Sequence, residues 1–215
     1  MIDDPQRHFL IFYTVGKVVL IEAILLFLPL VTALIYAELW IATCFAITAG
    51  IAFAVYLLSR LCFTPKSTMI FSKEGLIIVS LAWLTMSFIG SLPFVISGEI
   101  PSFVDALFET VSGFSTTGAS VLSSVEVLSH GILFWRSFTH WIGGMGVLVF
   151  VMAVTSKNND RSIHILRAEM PGPTVDKLVP RARDTAKILY LIYIALTLIL
   201  TVMLFCGDKI GRAHV

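Results

Sequence analysis

The chain has 215 residues, of which 57% are hydrophobic and only 13% are charged, and its formal net charge is +1 at pH 7. Soluble globular domains carry about 25% charged residues, so this composition excludes an ordinary soluble domain and indicates a membrane protein. A net charge so close to zero argues against nucleic acid as a partner.

Five apolar segments are long enough to cross a bilayer, because about 20 residues at helical rise span its hydrocarbon core. In chain order they are residues 9–36, 39–63, 74–97, 131–155 and 186–206. The first is too long for a cleavable signal peptide and has no small-residue cleavage pattern. The pattern therefore predicts an all-α polytopic membrane protein.

Two charged residues, Lys17 and Glu22, lie inside the first apolar segment, where an isolated charge is costly. A proton or ion relay is one interpretation. The favoured interpretation is structural: Lys17 reaches the cytoplasmic interface, and Glu22 pairs with another helix.

Among the connections between the apolar segments, basic residues occur only in alternate ones. The two basic loops contain Arg60, Lys66 and Lys73, and Lys157, Arg161, Arg167, Lys177, Arg181, Arg183 and Lys187. The opposite loops, residues 37–38 and 97–131, contain no Lys or Arg. The positive-inside rule then predicts a cytoplasmic amino terminus and cytoplasmic basic loops, with residues 97–131 opening toward the outside.

The piece between Pro101 and Gly113 is too short to cross the membrane and resembles a pore helix. Ser102 and Asp105 match a capping box at its start, and Gly113 is expected to end it in a left-handed conformation. A helix that dips inward from outside points its partly negative carboxyl end at the membrane centre, where it attracts a cation. The alternative is an extracellular amphipathic helix followed by an ordinary turn.

A short polar segment follows, Ser115-Thr116-Thr117-Gly118-Ala119, lodged between long apolar ones. Bilayers tolerate irregular backbone only where it is buried in protein or lines a water-filled path, and rings of carbonyls replace an ion's hydration shell in potassium filters. The segment therefore predicts a cation pathway. Its candidate ligands are the carbonyls of Thr116, Thr117 and Gly118, with Ser115 and Ala119 at the edges. Gly118 is expected to adopt a conformation that a side chain hinders.

Arg136 lies near the outer end of the fourth apolar segment. One interpretation is that it anchors the pore loop through Asp105, Glu109 or loop carbonyls. The other is that it extends to the membrane interface beside an aromatic belt. The sequence leaves both open.

Three glycines, Gly143, Gly144 and Gly146, follow in the same segment. A nucleotide-binding loop is disfavoured because no strand precedes them and the segment is an apolar helix by pattern. Close helix packing through small residues is the favoured interpretation, and the glycines could also let the helix bend.

The chain offers no assembly of catalytic groups. Its acids are dispersed and its histidines isolated, and no zinc motif, phosphate loop or Ser–His–Asp set can be formed. We therefore predict a protein that is not an enzyme and that has no resident cofactor.

Three stretches in order resemble one family. They are DALFETVSGFSTTGA at residues 105–119, FWRSFTHWIGGMGV at residues 134–147 and RAEMPGP at residues 167–173, the last followed by TAK at 185–187 and LIY at 191–193. Together they resemble the Trk/Ktr/HKT superfamily of potassium uptake proteins, in its TrkH-like branch.

The resemblance implies four repeats of helix, pore loop and helix around one pore, preceded by two leading helices. On that template this chain is an N-terminal fragment. Its parts are a leading helix pair (1–72), the first pore repeat (73–156), a basic cytoplasmic connector (157–185), the first helix of the second repeat (186–209) and a probable non-native tail (210–215).

The resemblance also implies potassium uptake across the bacterial inner membrane, with Thr116 and Thr117 as potassium ligands. Its implied partners are a second copy of the chain, a cytoplasmic nucleotide-binding regulator of the TrkA type, and membrane lipid. Two other function classes stay open: a non-conducting structural fragment and, less favoured, a polytopic membrane enzyme.

Overall fold

A computed structural model describes residues 5–63, 72–144, 146 and 182–206 of the chain. The regular secondary structure of these residues is helical, and no strand occurs among them. The helices are α1 (Pro5–Leu25), α2 (Phe27–Ile35), α3 (Leu39–Cys62), α4 (Ser72–Ser97), α5 (Phe103–Phe114), α6 (His130–Gly143) and α7 (Ala182–Cys206). The predicted all-α fold is confirmed.

Four stretches are long and apolar enough to cross a membrane. They are His8–Ile35, Leu39–Cys62, Glu74–Ser97 and Ile188–Phe205. They correspond to the first, second, third and fifth predicted segments. For the fourth, the structure describes α6 and Gly144, and residues 147–155 of the prediction lie outside the described residues.

The first apolar stretch is interrupted at Leu26, where α1 gives way to α2. Pro29 follows within the first turn of α2. Proline has no N–H to donate, so the carbonyl of Leu25 lacks the helical bond that continuity would give it. Pro29 therefore explains the break between α1 and α2.

A tight turn joins α2 to α3. The amide of Glu38 donates to the carbonyl of Ala33 at 2.8 Å, and that of Ala37 to Leu34 at 3.1 Å. Ala37 has a φ of 58°, so the turn is a Schellman motif with alanine in the left-handed position that glycine usually fills. The turn brings α3 back beside α1.

The main core is built from buried side chains of α1 to α6, and Trp135 lies inside it. Trp135 of α6 is fully buried, with Phe45 of α3 and Phe114 of α5 each 6.4 Å away between ring centroids. Its indole N–H donates to the carbonyl of Gly90 in α4 at 2.8 Å. One side chain thus ties together all four helices and fixes where the end of α5 lies.

Helix α7 contacts the rest of the described structure near the carboxyl end of α6. The Tyr193 hydroxyl donates to the carbonyl of Trp141 at 3.1 Å, and the Trp141 indole donates to the Thr197 hydroxyl at 3.2 Å. Most other apolar side chains of α7 are exposed, as suits a helix surrounded by lipid or by further helices.

Candidate functional site

Helix α5 begins where the sequence predicted it. Ser102 precedes the first helical residue, and its hydroxyl accepts the amide N–H of Asp105 at 3.4 Å. Asp105, the third helical residue, thus occupies the acidic position of a capping box. Glu109 and Thr110 are buried, which directs one face of α5 into the core.

The end of α5 differs from the prediction. The helix continues through Gly113 to Phe114, and the left-handed residue is Thr116, with a φ of 56°. The amide of Thr116 donates to Gly113 at 2.9 Å and that of Thr117 to Ser112 at 3.0 Å, the two bonds of a Schellman motif. The prediction that Gly113 stops the helix in a left-handed conformation is wrong.

Gly113 instead allows a close crossing of α5 and α6. A Cβ on Gly113 would meet the Thr139 hydroxyl and lie 2.9 Å from the Thr139 Cβ. From the other side, a Cβ on Gly143 would lie 2.7 Å from the carbonyl carbon of Phe114. The two helices approach through a glycine on each, as in other membrane helix pairs.

The three glycines at the end of α6 have different environments. Gly143 is the last helical residue and Gly144 is the C-cap, where a Cβ would lie 3.1 Å from the Tyr193 ring carbon Cζ. Gly146 is outside the helix with a φ of 68°, and its amide donates to Gly143 at 2.9 Å. The prediction that all three lie within one packed helix is wrong for Gly146, where a turn in the backbone uses the glycine.

Two residues of the polar segment have left-handed backbone angles. Gly118 has a φ of 75°, and no atom lies within 4 Å of the place a Cβ would take. The backbone angle, and not a lack of space, is therefore what opposes a side chain at Gly118. Thr116 adopts its φ of 56° although β-branched residues rarely do, which marks a conformation imposed by its surroundings.

The carbonyl oxygens of residues 116–118 accept no hydrogen bond from any other described residue. The carbonyls on either side are occupied. That of Ser115 accepts the Thr116 hydroxyl at 2.7 Å, and that of Ala119 accepts the Ser112 hydroxyl at 2.6 Å. Within the described part of the chain, three consecutive carbonyls thus have no hydrogen-bond donor, between two that do.

Glu109 and Arg136 clamp the segment that follows. The fully buried Glu109 carboxylate accepts Arg136 Nε at 2.8 Å, and its other oxygen accepts the Ser120 hydroxyl at 2.5 Å and the Val121 amide at 2.8 Å. Of the partners considered for Arg136, the structure shows Glu109 and not Asp105. The clamp joins α5, α6 and the chain just past Ala119.

Sequence reasoning missed Glu38. Its carboxylate accepts the amides of His130 at 2.9 Å and Gly131 at 3.0 Å, and it lies 2.9 Å from the His130 ring Nδ1. Glu38 thereby caps α6, while the preceding Ser129 makes no side-chain capping bond. Nothing local signals this, because the partners are 92 residues apart in the chain.

The environment of Glu38 changes its proton affinity. Partial burial raises the pKa of the carboxyl, but the amides of Gly131 and His130 and the His130 ring stabilise the charged form more, so the pKa lies below its ordinary value. The carboxylate is the capping form.

Comparison with known proteins decides the family. A family model described as TrkH, cation transport protein, matches residues 41–211. The chain belongs to the TrkH family. The Trk system potassium uptake protein TrkH of Escherichia coli K12 is 43% identical over 150 residues, which cover 66% of this chain and 31% of that protein. TrkH of Halomonas elongata is 36% identical over 174 residues, covering 79% and 35%.

The fold agrees with a solved TrkH structure. The crystal structure of the potassium transporter TrkH from Vibrio parahaemolyticus matches with a TM-score of 0.75 and 29% identity, over 93% of this chain and 40% of that one. The chain spans about a third of the length of the curated TrkH relatives it matches. The predicted TrkH-like resemblance is confirmed, as is the prediction of a multi-pass membrane protein of a transport family and not an enzyme.

Proposed function

We propose that this chain supplies one wall of the ion filter of a potassium uptake protein. Potassium would shed water against the carbonyls of Thr116, Thr117 and Gly118. The observation that carries the proposal is the run of free carbonyls at residues 116–118, bounded by occupied ones at Ser115 and Ala119. Carbonyl oxygens are the ligands that replace potassium's hydration shell in known filters.

The end of α5 supports a cation at this place. The free carbonyls follow directly on the carboxyl end of the helix, where the partial charge of the helix dipole is negative. The Schellman bonds to Ser112 and Gly113 fix how the chain leaves the helix. Helix end and free carbonyls thus both favour a positive ion.

The clamp of Glu109 and Arg136 has a supporting role in this proposal. It holds the chain at Ser120 and Val121, just beyond the last filter position, while the Schellman motif holds the chain before it. Carbonyls fixed at both ends need less reorganisation when an ion arrives. Asp105 would stay at the outer start of the pore helix.

One loop cannot surround an ion. We propose that the other walls come from further repeats of a longer TrkH-type chain, since the relatives named potassium uptake proteins are about three times as long as the matched region. The longer protein would act in the bacterial inner membrane with a cytoplasmic amino terminus. Its partners would be a second copy, a cytoplasmic regulator of the TrkA type, and lipid at the basic connector.

A chimera tests the proposal. Residues 1–206 would replace the corresponding part of Escherichia coli TrkH, and rubidium uptake would be measured in cells that lack their own potassium transporters. We expect saturable uptake above that of empty cells. A chimera that reaches the membrane but carries no rubidium would contradict the proposal.

The 215-residue chain by itself tests whether one wall is enough for selective conduction. In liposomes we expect it to insert without selective rubidium flux, because one wall does not form a filter. Selective flux from the chain by itself would show that several copies can assemble one.

A further inference from the structure

A buried carboxyl group in α1 has no part in the site described above. Glu22 is fully buried, and neither of its carboxyl oxygens has a hydrogen-bond partner among the described residues. The sequence-based expectation that Glu22 pairs with another helix is therefore not met within this part of the chain.

Glu22 lies where α1 meets α4 and the pore helix α5. A Cβ on Gly90 of α4 would be 3.2 Å from Glu22 Oε1, 3.0 Å from Thr110 Cγ2 and 3.3 Å from Phe114 Cε2. Gly90 thus leaves just enough space for a carboxyl group on one side and the pore helix on the other.

Two hydrogen-bond donors beside Gly90, the Thr110 hydroxyl and the Trp135 indole N–H, already have acceptors. The Thr110 hydroxyl donates to the carbonyl of Ala106 in its own helix at 2.8 Å, and the carbonyl of Gly90 accepts the Trp135 indole. Neither the Thr110 hydroxyl nor the Trp135 indole N–H is therefore available to donate to a carboxylate at Glu22.

No charged or titratable group on the neighbouring helices hydrogen-bonds to the Glu22 carboxyl in the described structure. Lys17, on the same helix, lies 4.6 Å from the centroid of the Tyr13 ring. The titratable residues on the helices that pack around this junction are Cys44, Tyr56, Arg60 and Cys62 of α3, Lys73 and Glu74 of α4, and Asp105 and Glu109 of α5. Arg60 donates to the Tyr56 hydroxyl, and Glu109 is paired with Arg136.

An ionised carboxylate without a partner is far more costly to bury than a neutral carboxylic acid. We propose that Glu22 is a proton-binding site: its carboxyl holds a proton at neutral pH, and proton release weakens the packing of α1 against α4 and the pore helix at Gly90. The site is separate from the filter and its ligand is a proton.

Infrared spectroscopy tests the protonation state directly. The difference spectrum between the parent 215-residue chain in lipid and Glu22→Gln should contain, at neutral pH, the C=O stretching band of one protonated carboxylic acid. A matched control is Glu109→Gln, whose difference spectrum should contain carboxylate bands instead, because Glu109 is paired with Arg136. Carboxylate bands in the Glu22 difference spectrum would overturn the proposal.

The pH dependence of stability gives a second test with a definite sign. A proton held more tightly in the folded chain means that stability falls as pH rises above the ordinary carboxyl range. Relative to Glu22→Gln, the unfolding equilibrium constant of the parent should rise by up to about tenfold per pH unit between about pH 5 and pH 9. A parent that gains stability over Glu22→Gln as pH rises, or a Glu22→Gln chain that does not fold, would contradict the proposal.

Discussion

At the scale of single residues, the structure rests on a few polar groups whose partners are distant in sequence. Glu109 is fully buried and Arg136 nearly so, with 14% of its side chain exposed. Arg60, by contrast, is an exposed cation whose guanidinium donates to the hydroxyl of Tyr56 one turn away. Removal of Arg136 should therefore lower the free energy of unfolding far more than removal of Arg60.

We expect Arg136→Ala to destabilise the chain by about 3–5 kcal/mol, because it leaves the buried Glu109 carboxylate without its counter-charge. The midpoint of denaturant unfolding in detergent measures this. The matched control, Arg60→Ala, should change stability by less than about 1 kcal/mol. Adding Glu109→Gln to Arg136→Ala should recover part of the lost stability. A double variant whose loss of stability equals the sum of the two single losses would contradict the clamp.

At the scale of elements, the type and span of the helices were predictable from the sequence. The carboxyl ends of the helices and the long-range contacts were not. Apolar length predicted the spans, and Ser102 with Asp105 predicted the start of α5. Gly113 was misassigned because a glycine near a helix end fits both a left-handed cap and a close crossing. Only the position of Thr139 on α6 distinguishes the two.

The polar contacts of the site were partly predictable. The charge of Arg136 in an apolar segment indicated a partner, and Glu109 was among the candidates. The capping of α6 by Glu38 was not predictable, because Ser129 stands in the ordinary cap position and Glu38 arrives through the fold of α2 and α3. Likewise, only the packing of α1 shows that Glu22 has no partner in the described chain.

The crossing of α5 and α6 predicts opposite effects for two glycine substitutions. Gly113→Ala should destabilise by about 1–3 kcal/mol, because the new methyl overlaps Thr139. Gly50→Ala is the control: it lies inside α3 with nothing within 4 Å, so alanine should stabilise by about 0.5–1 kcal/mol. Thermal unfolding of both variants tests the crossing, and a Gly113→Ala chain as stable as the parent would argue against it.

Capping of α6 by Glu38 predicts that the stability of the chain depends on pH in the acid range. Because the folded pKa of Glu38 is below its ordinary value, its contribution is present above about pH 4.3 and is lost as pH falls through the lowered pKa. The stability gap between the parent and Glu38→Gln should therefore shrink on acidification. Glu126→Gln, an exposed change in the loop before α6, is the control, and a gap that stays constant or widens in acid would contradict the cap.

At the scale of the whole molecule, α1 to α6 form one packed unit, and α5 leads into residues 116–118, whose carbonyls accept no hydrogen bond from the described residues. The aromatic contact of Trp135 with Phe45 and Phe114 holds α5 against α3 and α6, and the clamp of Glu109 and Arg136 holds the chain just past Ala119. The family is established by the TrkH match, and the place of this unit in a complete potassium pathway is the central claim.

That claim is tested most directly by the selectivity of Gly118 variants in the chimera with Escherichia coli TrkH. Uptake of rubidium and of sodium would be compared in cells for the parent chimera, Gly118→Ala and Thr116→Ala, each at matched membrane expression. A side chain at a φ of 75° costs about 1–2 kcal/mol, so Gly118→Ala should lower the rubidium-to-sodium preference about tenfold. Thr116→Ala keeps its backbone carbonyl and should change the preference much less. An unchanged preference in Gly118→Ala would contradict the assignment of residues 116–118 to the filter.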